Sequence, residues 1–258
     1  PPVGTFVYTR FGIEWSLSAL IAVFAAASVV QLLLPSTPRT QDGGDRGRMS
    51  ALKDLQDGFR YVAGHRTLRI AAVMFLLIGL AAGIVNPLDV FVVMERLGLE
   101  KEAVQWFAML EGLGLLIGGG LAAGLSGWID RHRRRIVPWT LVLFGIGTFV
   151  EVLSLWPVLT GGVRLLSGVA LTFLQVVLGA LMIMEVEEAY VGRTNGIILP
   201  VMMGGLLVGS ASAGLLVRQA TLFGAYGLAA ALLLLCALVA ARIPYTAKAA
   251  SAASGEGV

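Results

Sequence analysis

IAAVMFLLIGLAAGIVNPLDVFVVM, residues 70–94, contains a single ionisable side chain, Asp89, in a run long enough to cross a lipid bilayer. A helix rises about 1.5 Å per residue, so roughly 20 apolar residues span the ~30 Å hydrocarbon core. The rest of the chain repeats this pattern. Of its 258 residues, 57% are hydrophobic and 14% charged, against roughly half and a quarter in soluble domains. That composition excludes an ordinary soluble enzyme, a nucleic-acid-binding domain and a disordered tail. The formal charge of +3 does not point to nucleic acid, because the charges fall between apolar runs. One cysteine, Cys236, allows no internal disulfide. His65 and His132 are too few and too far apart for a metal site, and no cofactor is implied.

Outward from residues 70–94, six further apolar runs occur, at 15–34, 103–129, 136–157, 162–184, 195–217 and 221–243. They are too long and too uniformly apolar for barrel strands, which alternate over about 10 residues. The expected fold is an all-α membrane protein with seven transmembrane helices. If segment 35–69 is cytoplasmic, fourteen of the nineteen Lys and Arg fall inside and five outside, as the positive-inside rule requires. The C-terminus is then cytoplasmic.

Segment 35–69 opens with Pro35-Ser36-Thr37-Pro38 and runs through Asp42-Gly43-Gly44-Asp45, a flexible linker by composition. Met49 to Gly64 then places Leu52, Leu55, Phe59 and Val62 three or four apart, the spacing of an amphipathic helix on the inner membrane surface. Residues 244–258 read as a disordered cytoplasmic tail. Small residues four apart, such as Gly120/Gly124 and Gly205/Gly209, predict close helix approach.

After the third run comes Ser126-Gly127-Trp128-Ile129-Asp130-Arg131-His132-Arg133-Arg134-Arg135. This resembles the loop signature of the major facilitator superfamily, Gly-x-x-x-Asp-Arg-x-Gly-Arg-Arg. Asp130, Arg131, Arg134 and Arg135 match, while Ser126 and Arg133 replace the two glycines. Gly58-Phe59-Arg60-Tyr61-Val62 with His65-Arg66-Thr67-Leu68-Arg69 resembles the entry to the seventh helix of that superfamily's efflux members. Asn86-Pro87 and Glu95-Arg96-Leu97-Gly98-Leu99 look like its close, and Gly192-Arg193 like the entry to the eleventh. The spacing is similar to that of siderophore and macrolide exporters.

The resemblance implies a bacterial-type inner-membrane transporter exporting a hydrophobic or amphiphilic small molecule in exchange for protons. It implies that residues 1–34 are the end of an N-terminal half, 35–69 the central linker and 70–243 the six-helix C-terminal bundle. The opening Pro1-Pro2 fits a piece of something longer, with the remaining N-terminal half or a partner subunit supplied elsewhere. The resemblance also makes Asp130, Arg131, Arg134 and Arg135 an inner gate, and Asn86, Thr172 and Gln175 are the candidates for lining the cavity. A seven-helix receptor or a non-transporting membrane scaffold is the alternative. The receptor lacks the cysteines for its usual outer disulfide. A retinal protein would need a lysine in a span, and Lys53, Lys101 and Lys248 all lie outside.

Three carboxylates lie within runs: Asp89, Glu111 and Glu151. A charge in hydrocarbon costs a few kcal/mol even on lenient scales, so such groups face protein or water and are functional candidates. All three fall in the outer half of their runs. Asn86 and Asp89 share a helix face, with Pro87 between them removing a backbone donor. Asp89 and Glu111 are the candidates for binding protons or a cationic substrate group. The alternative is that each carboxylate is simply held by a partner such as Arg164. Glu151 ranks below the other two, because the family's ninth helix is peripheral.

Overall fold

The computed structural model of the chain describes residues 2–33, 58–185 and 191–242. The linker before residue 58 and the tail after residue 242 therefore lie outside the described residues. The chain divides into two units, Pro1–Ala51 and Leu52–Val258. The first contains helix α1 (Pro2–Leu33), which breaks at Gly12, where φ is 82°. None of its apolar window Arg10–Val30 is buried within the protein.

In the second unit a helical stretch at 58–64 buries Val62 against Leu68 and Ile197, while Phe59 is exposed. The first spanning helix begins at Arg66 rather than 70. Helix α2 (Arg66–Val85) then changes character at the proline. Asn86–Leu88 is a 3-10 turn, Asp89–Phe91 a short α turn and Val92–Arg96 a π turn. Leu97 N–H closes the π turn on Val92 O at 3.2 Å, and Gly98 ends the segment with φ 64°. The proline thus loosens the C-terminal end of α2, as its missing donor requires.

Helices α3 (Val104–Gly124), α4 (Ser126–Leu153), α5 (Pro157–Glu185) and α6 (Val191–Ala240) follow. Two boundaries differ from the sequence reading. The third span stops at Gly124 instead of 129, turning at Leu125 (φ −105°, ψ 15°). Asp130–Arg135 is therefore not a loop but the first turns of α4. Arginine is a good helix former, so the helix extends beyond its apolar stretch. At the other end, Ser154 Oγ accepts Trp156 N–H at 3.2 Å and Pro157 opens α5, where its missing N–H is no loss.

Among the described residues, six helices are long and apolar enough to cross a membrane, the last of them 47 residues, Thr194–Ala240. At ~1.5 Å per residue that length is about twice a bilayer core. The backbone breaks it at Thr221, φ 62° and ψ 173°, which separates the sixth and seventh sequence runs into two limbs. This backbone region is nearly restricted to glycine and costs a β-branched residue about 1–3 kcal/mol. Thr221→Gly is therefore expected to stabilise the bundle by about 1 kcal/mol net of glycine's entropy. A raised thermal unfolding midpoint in detergent would show it, and a lowered one would contradict the break.

Helix α2 packs against both limbs of α6. A Cβ on Gly79 or Gly83 would collide with the carbonyls of Met202 or Leu206. Ser210 Oγ donates to Gly83 O at 3.2 Å, and Cys236 Sγ lies 3.7 Å from Met74 O. Gly205 and Gly209 make the close approach expected of them, whereas Gly120 and Gly124 face open space. On α3 the contact is made by Gly114 and Gly118, against Leu165, Gly168 and Thr172 of α5. Between 22 and 44% of each apolar window in this unit is buried. Side chains such as Leu116 and Leu207 face outward, as lipid contact allows.

Candidate functional site

The π and 3-10 turns that follow α2 bring Asp89 toward the N-terminal parts of α3 and α5 and the C-terminal end of α4. There the structure gathers all three membrane carboxylates on one guanidinium. Arg164 of α5 donates from Nε to Glu151 Oε1 at 2.6 Å, from Nη1 to Glu111 Oε2 at 3.1 Å and from Nη2 to Asp89 Oδ1 at 2.5 Å. Nη2 also pairs with Glu151 Oε1 at 2.5 Å. Tyr226, fully buried on the second limb of α6, donates its hydroxyl to Asp89 Oδ1 at 3.1 Å. Five helical segments thus meet in one polar cluster.

The cluster is sheltered but not sealed. Side-chain exposure is 13% for Arg164, 8% for Glu151, 21% for Asp89 and 29% for Glu111. Beside it lies a cavity of 270 Å³ lined by Glu111, Glu151, Arg164 and Asn86, with Thr148, Ser167 and apolar residues including Ile78, Phe144 and Leu233. That volume falls just below the roughly 300–1,000 Å³ of drug-sized sites, and its wall is of the expected kind, mostly apolar with a few polar groups. With every group ionised, three carboxylates and one arginine carry a formal charge of −2. In a low-dielectric setting such an excess attracts a proton or an organic cation.

Arg96 reinforces the C-terminal end of α4. Its Nε donates to Val152 O at 2.9 Å, next to Glu151, and its guanidinium lies over the Phe223 ring at 4.6 Å. The Val152 carbonyl belongs to the last turn of α4, whose orphan carbonyls need such donors.

The remaining sequence candidates lie elsewhere. Thr172 Oγ1 reaches Leu115 O and Gly168 O, both at 3.1 Å, and so spends its hydroxyl between helices. Gln175 is exposed, and neither residue lines the cavity. Asp130, Arg131, Arg134 and Arg135 lie on α4, with Arg131 and Arg135 exposed. The side chains of Asp130 and Arg134 are outside the description. Sequence reasoning ranked Glu151 below its neighbours and did not single out Tyr226 or Arg96. It named Arg164 as a partner that could hold the carboxylates, and Arg164, inside the fifth span, holds all three.

Comparison with known proteins agrees with this architecture. No curated protein and no solved structure matches the chain. The family profile of the Major Facilitator Superfamily matches residues 72–257, from within α2 through α6. That superfamily comprises membrane transporters rather than enzymes. The chain is an integral membrane protein and belongs to the Major Facilitator Superfamily.

Proposed function

We propose that this chain is part of a secondary active transporter that exports a hydrophobic or amphiphilic small molecule in exchange for protons, by alternating access. The observation that carries the reading is the charge imbalance at Arg164. One guanidinium holds three carboxylates beside a cavity. A proton or a cationic substrate group reduces the surplus, so occupancy by either is linked to the other. Asp89 and Glu111 carry the proton or meet the substrate charge, and Asn86 lies on the cavity wall. Residues 70–243 act as one rocking bundle, with a second bundle completing the cavity as in other secondary transporters. The excess of Lys and Arg assigned to the inner side supports a cytoplasmic linker and C-terminus in a bacterial-type inner membrane.

Neutralising one carboxylate moves the cluster toward charge balance and leaves Arg164 two partners, so the fold is expected to survive. Asp89→Asn and Glu111→Gln should therefore be made at normal abundance yet fail to export. The check is dye accumulation in cells stripped of their own exporters. Export by either variant is expected to fall to the level of cells without the gene. Proton-driven export unchanged in both would remove the cluster from the mechanism.

At the inner end, Asp130 with Arg131, Arg134 and Arg135 acts as the gate that favours one closed side. Asp130→Asn is expected to change the transport rate while leaving the amount of protein in the membrane unchanged. Equal loss of both would leave the arginines only a topological role.

A further inference from the structure

The three carboxylates are not held alike. Glu151 Oε1 accepts two contacts from Arg164, at 2.6 and 2.5 Å, and its side chain is the most buried of the three. Asp89 Oδ1 also accepts twice, from Arg164 at 2.5 Å and from the Tyr226 hydroxyl at 3.1 Å. Glu111 has a single contact, 3.1 Å long, and is the most exposed at 29%. Glu111 lines the 270 Å³ cavity and Asp89 does not. Two donors hold a carboxylate in place more firmly than one long contact, and Glu111, which lines the cavity, has a single contact to break before it turns toward cavity water. Tyr226, a neutral donor from another helix, adds to the shorter Arg164 contact in holding Asp89 more firmly than Glu111.

We propose that Tyr226 is a positioning residue whose hydroxyl fixes Asp89 on Arg164, leaving Glu111 as the one carboxylate of the cluster that exchanges a proton with the cavity. This rests on reading the cluster as the proton site. The groups facing Glu111 are Arg164 from α5, Asp89 from α2 and Glu151 from α4, with Tyr226 behind Asp89 and Arg96 on the neighbouring Val152 carbonyl. A hydronium ion in the cavity passes its proton to a Glu111 carboxylate oxygen, so that one hydronium O–H bond breaks, one O–H bond forms and water is left; the bond from Arg164 is released or shifts, and the cluster goes from −2 to −1. Asp89 and Glu151 stay paired with Arg164, so α2, α4 and α5 remain tied while Glu111 on α3 is released.

The test is pH-difference infrared spectroscopy of the full chain in lipid vesicles, reading the carboxylic C=O band that appears on acidification. Glu111→Gln is expected to lose the wild-type band. Tyr226→Phe, which keeps the ring that fills the core, should retain it and gain a second band, and that second band should vanish in Tyr226→Phe/Asp89→Asn. The amide bands report in the same spectra that the helices are intact. Should Glu111→Gln fail to fold, Glu111→Asp must instead shift the pH midpoint of the band. A wild-type band surviving in folded Glu111→Gln, an unshifted midpoint in Glu111→Asp, or a Tyr226→Phe spectrum identical to wild type would overturn the assignment. A wild-type protein with no pH-dependent carboxylic band would overturn the proton-site reading itself, which separates the two failures.

Discussion

Arg164→Met is expected to abolish the folded bundle. The wild-type cluster has a formal charge of −2 with the guanidinium at its centre. Removing it leaves −3, with Glu151 8% and Asp89 21% exposed and the ion pairs of both carboxylates lost. Breaking a buried ion pair from one side costs about 3–5 kcal/mol, a large part of the roughly 5–15 kcal/mol that keeps a domain folded. Here one substitution breaks pairs to three helices at once. The loss should appear as low abundance in the membrane and a broad, early thermal transition in detergent. The same reasoning predicts recovery. Adding Glu151→Gln and Asp89→Asn to Arg164→Met removes two of the orphaned charges and should restore much of the abundance, though not transport. An Arg164→Met protein as abundant and as stable as wild type would mean that the cluster is not the tie between these helices.

The second large effect is expected from a glycine. A Cβ on Gly168 would strike the carbonyl of Glu111 and stand 2.9 Å from Leu115 N and 3.0 Å from Gly114 C. All three are backbone atoms of α3, which cannot swing aside as a side chain can. Valine at 168 must push α3 and α5 apart, and overpacking of this kind costs about 1–3 kcal/mol. The functional loss should exceed the loss of stability. Arg164 lies one turn away on the same helix, and its bond to Glu111 is already 3.1 Å long. Beyond about 3.5 Å a hydrogen bond of this kind is gone. Gly168→Val should therefore lose transport while much of the protein still reaches the membrane. Gly120→Val is the control, since nothing lies within 4 Å of that position, and it should transport normally. Equal behaviour of the two variants would show that backbone contact between α3 and α5 does not set the geometry of the cluster.

These effects divide along the line between what hydropathy reveals and what only packing reveals. The spans were legible because an apolar run of bilayer length has few alternatives. The carboxylates were legible because an ionisable group in such a run demands an explanation. Helix ends were less so. Nothing in the apolar pattern distinguishes the turn at Leu125 from the helix on either side, so the charged turns of α4 read as a loop. The break at Thr221 was anticipated only as a gap between two runs. The choice between Gly114/Gly118 and Gly120/Gly124 depends on which face of α3 meets α5, and equal spacing on both faces hides it. Tyr226 left no trace in the sequence, because a neutral aromatic in an apolar helix looks like core. Its role appears only when the second limb of α6 brings its hydroxyl to Asp89. Glu151 was ranked low on the family's layout, yet its side chain is the best held of the three.

Coupling between the proton gradient and export is the claim on which the account stands. Its most direct measurement uses inverted membrane vesicles from cells expressing the gene, with a compound against which that gene protects growth. The proton gradient is followed with a fluorescent weak base, and export as uptake of the compound into the vesicles. Addition of the compound is expected to draw down the gradient in wild-type vesicles and not in Glu111→Gln vesicles, and collapsing the gradient should stop uptake. Uptake at the same rate with and without the gradient would contradict proton coupling, and with it the role assigned to the Arg164 cluster.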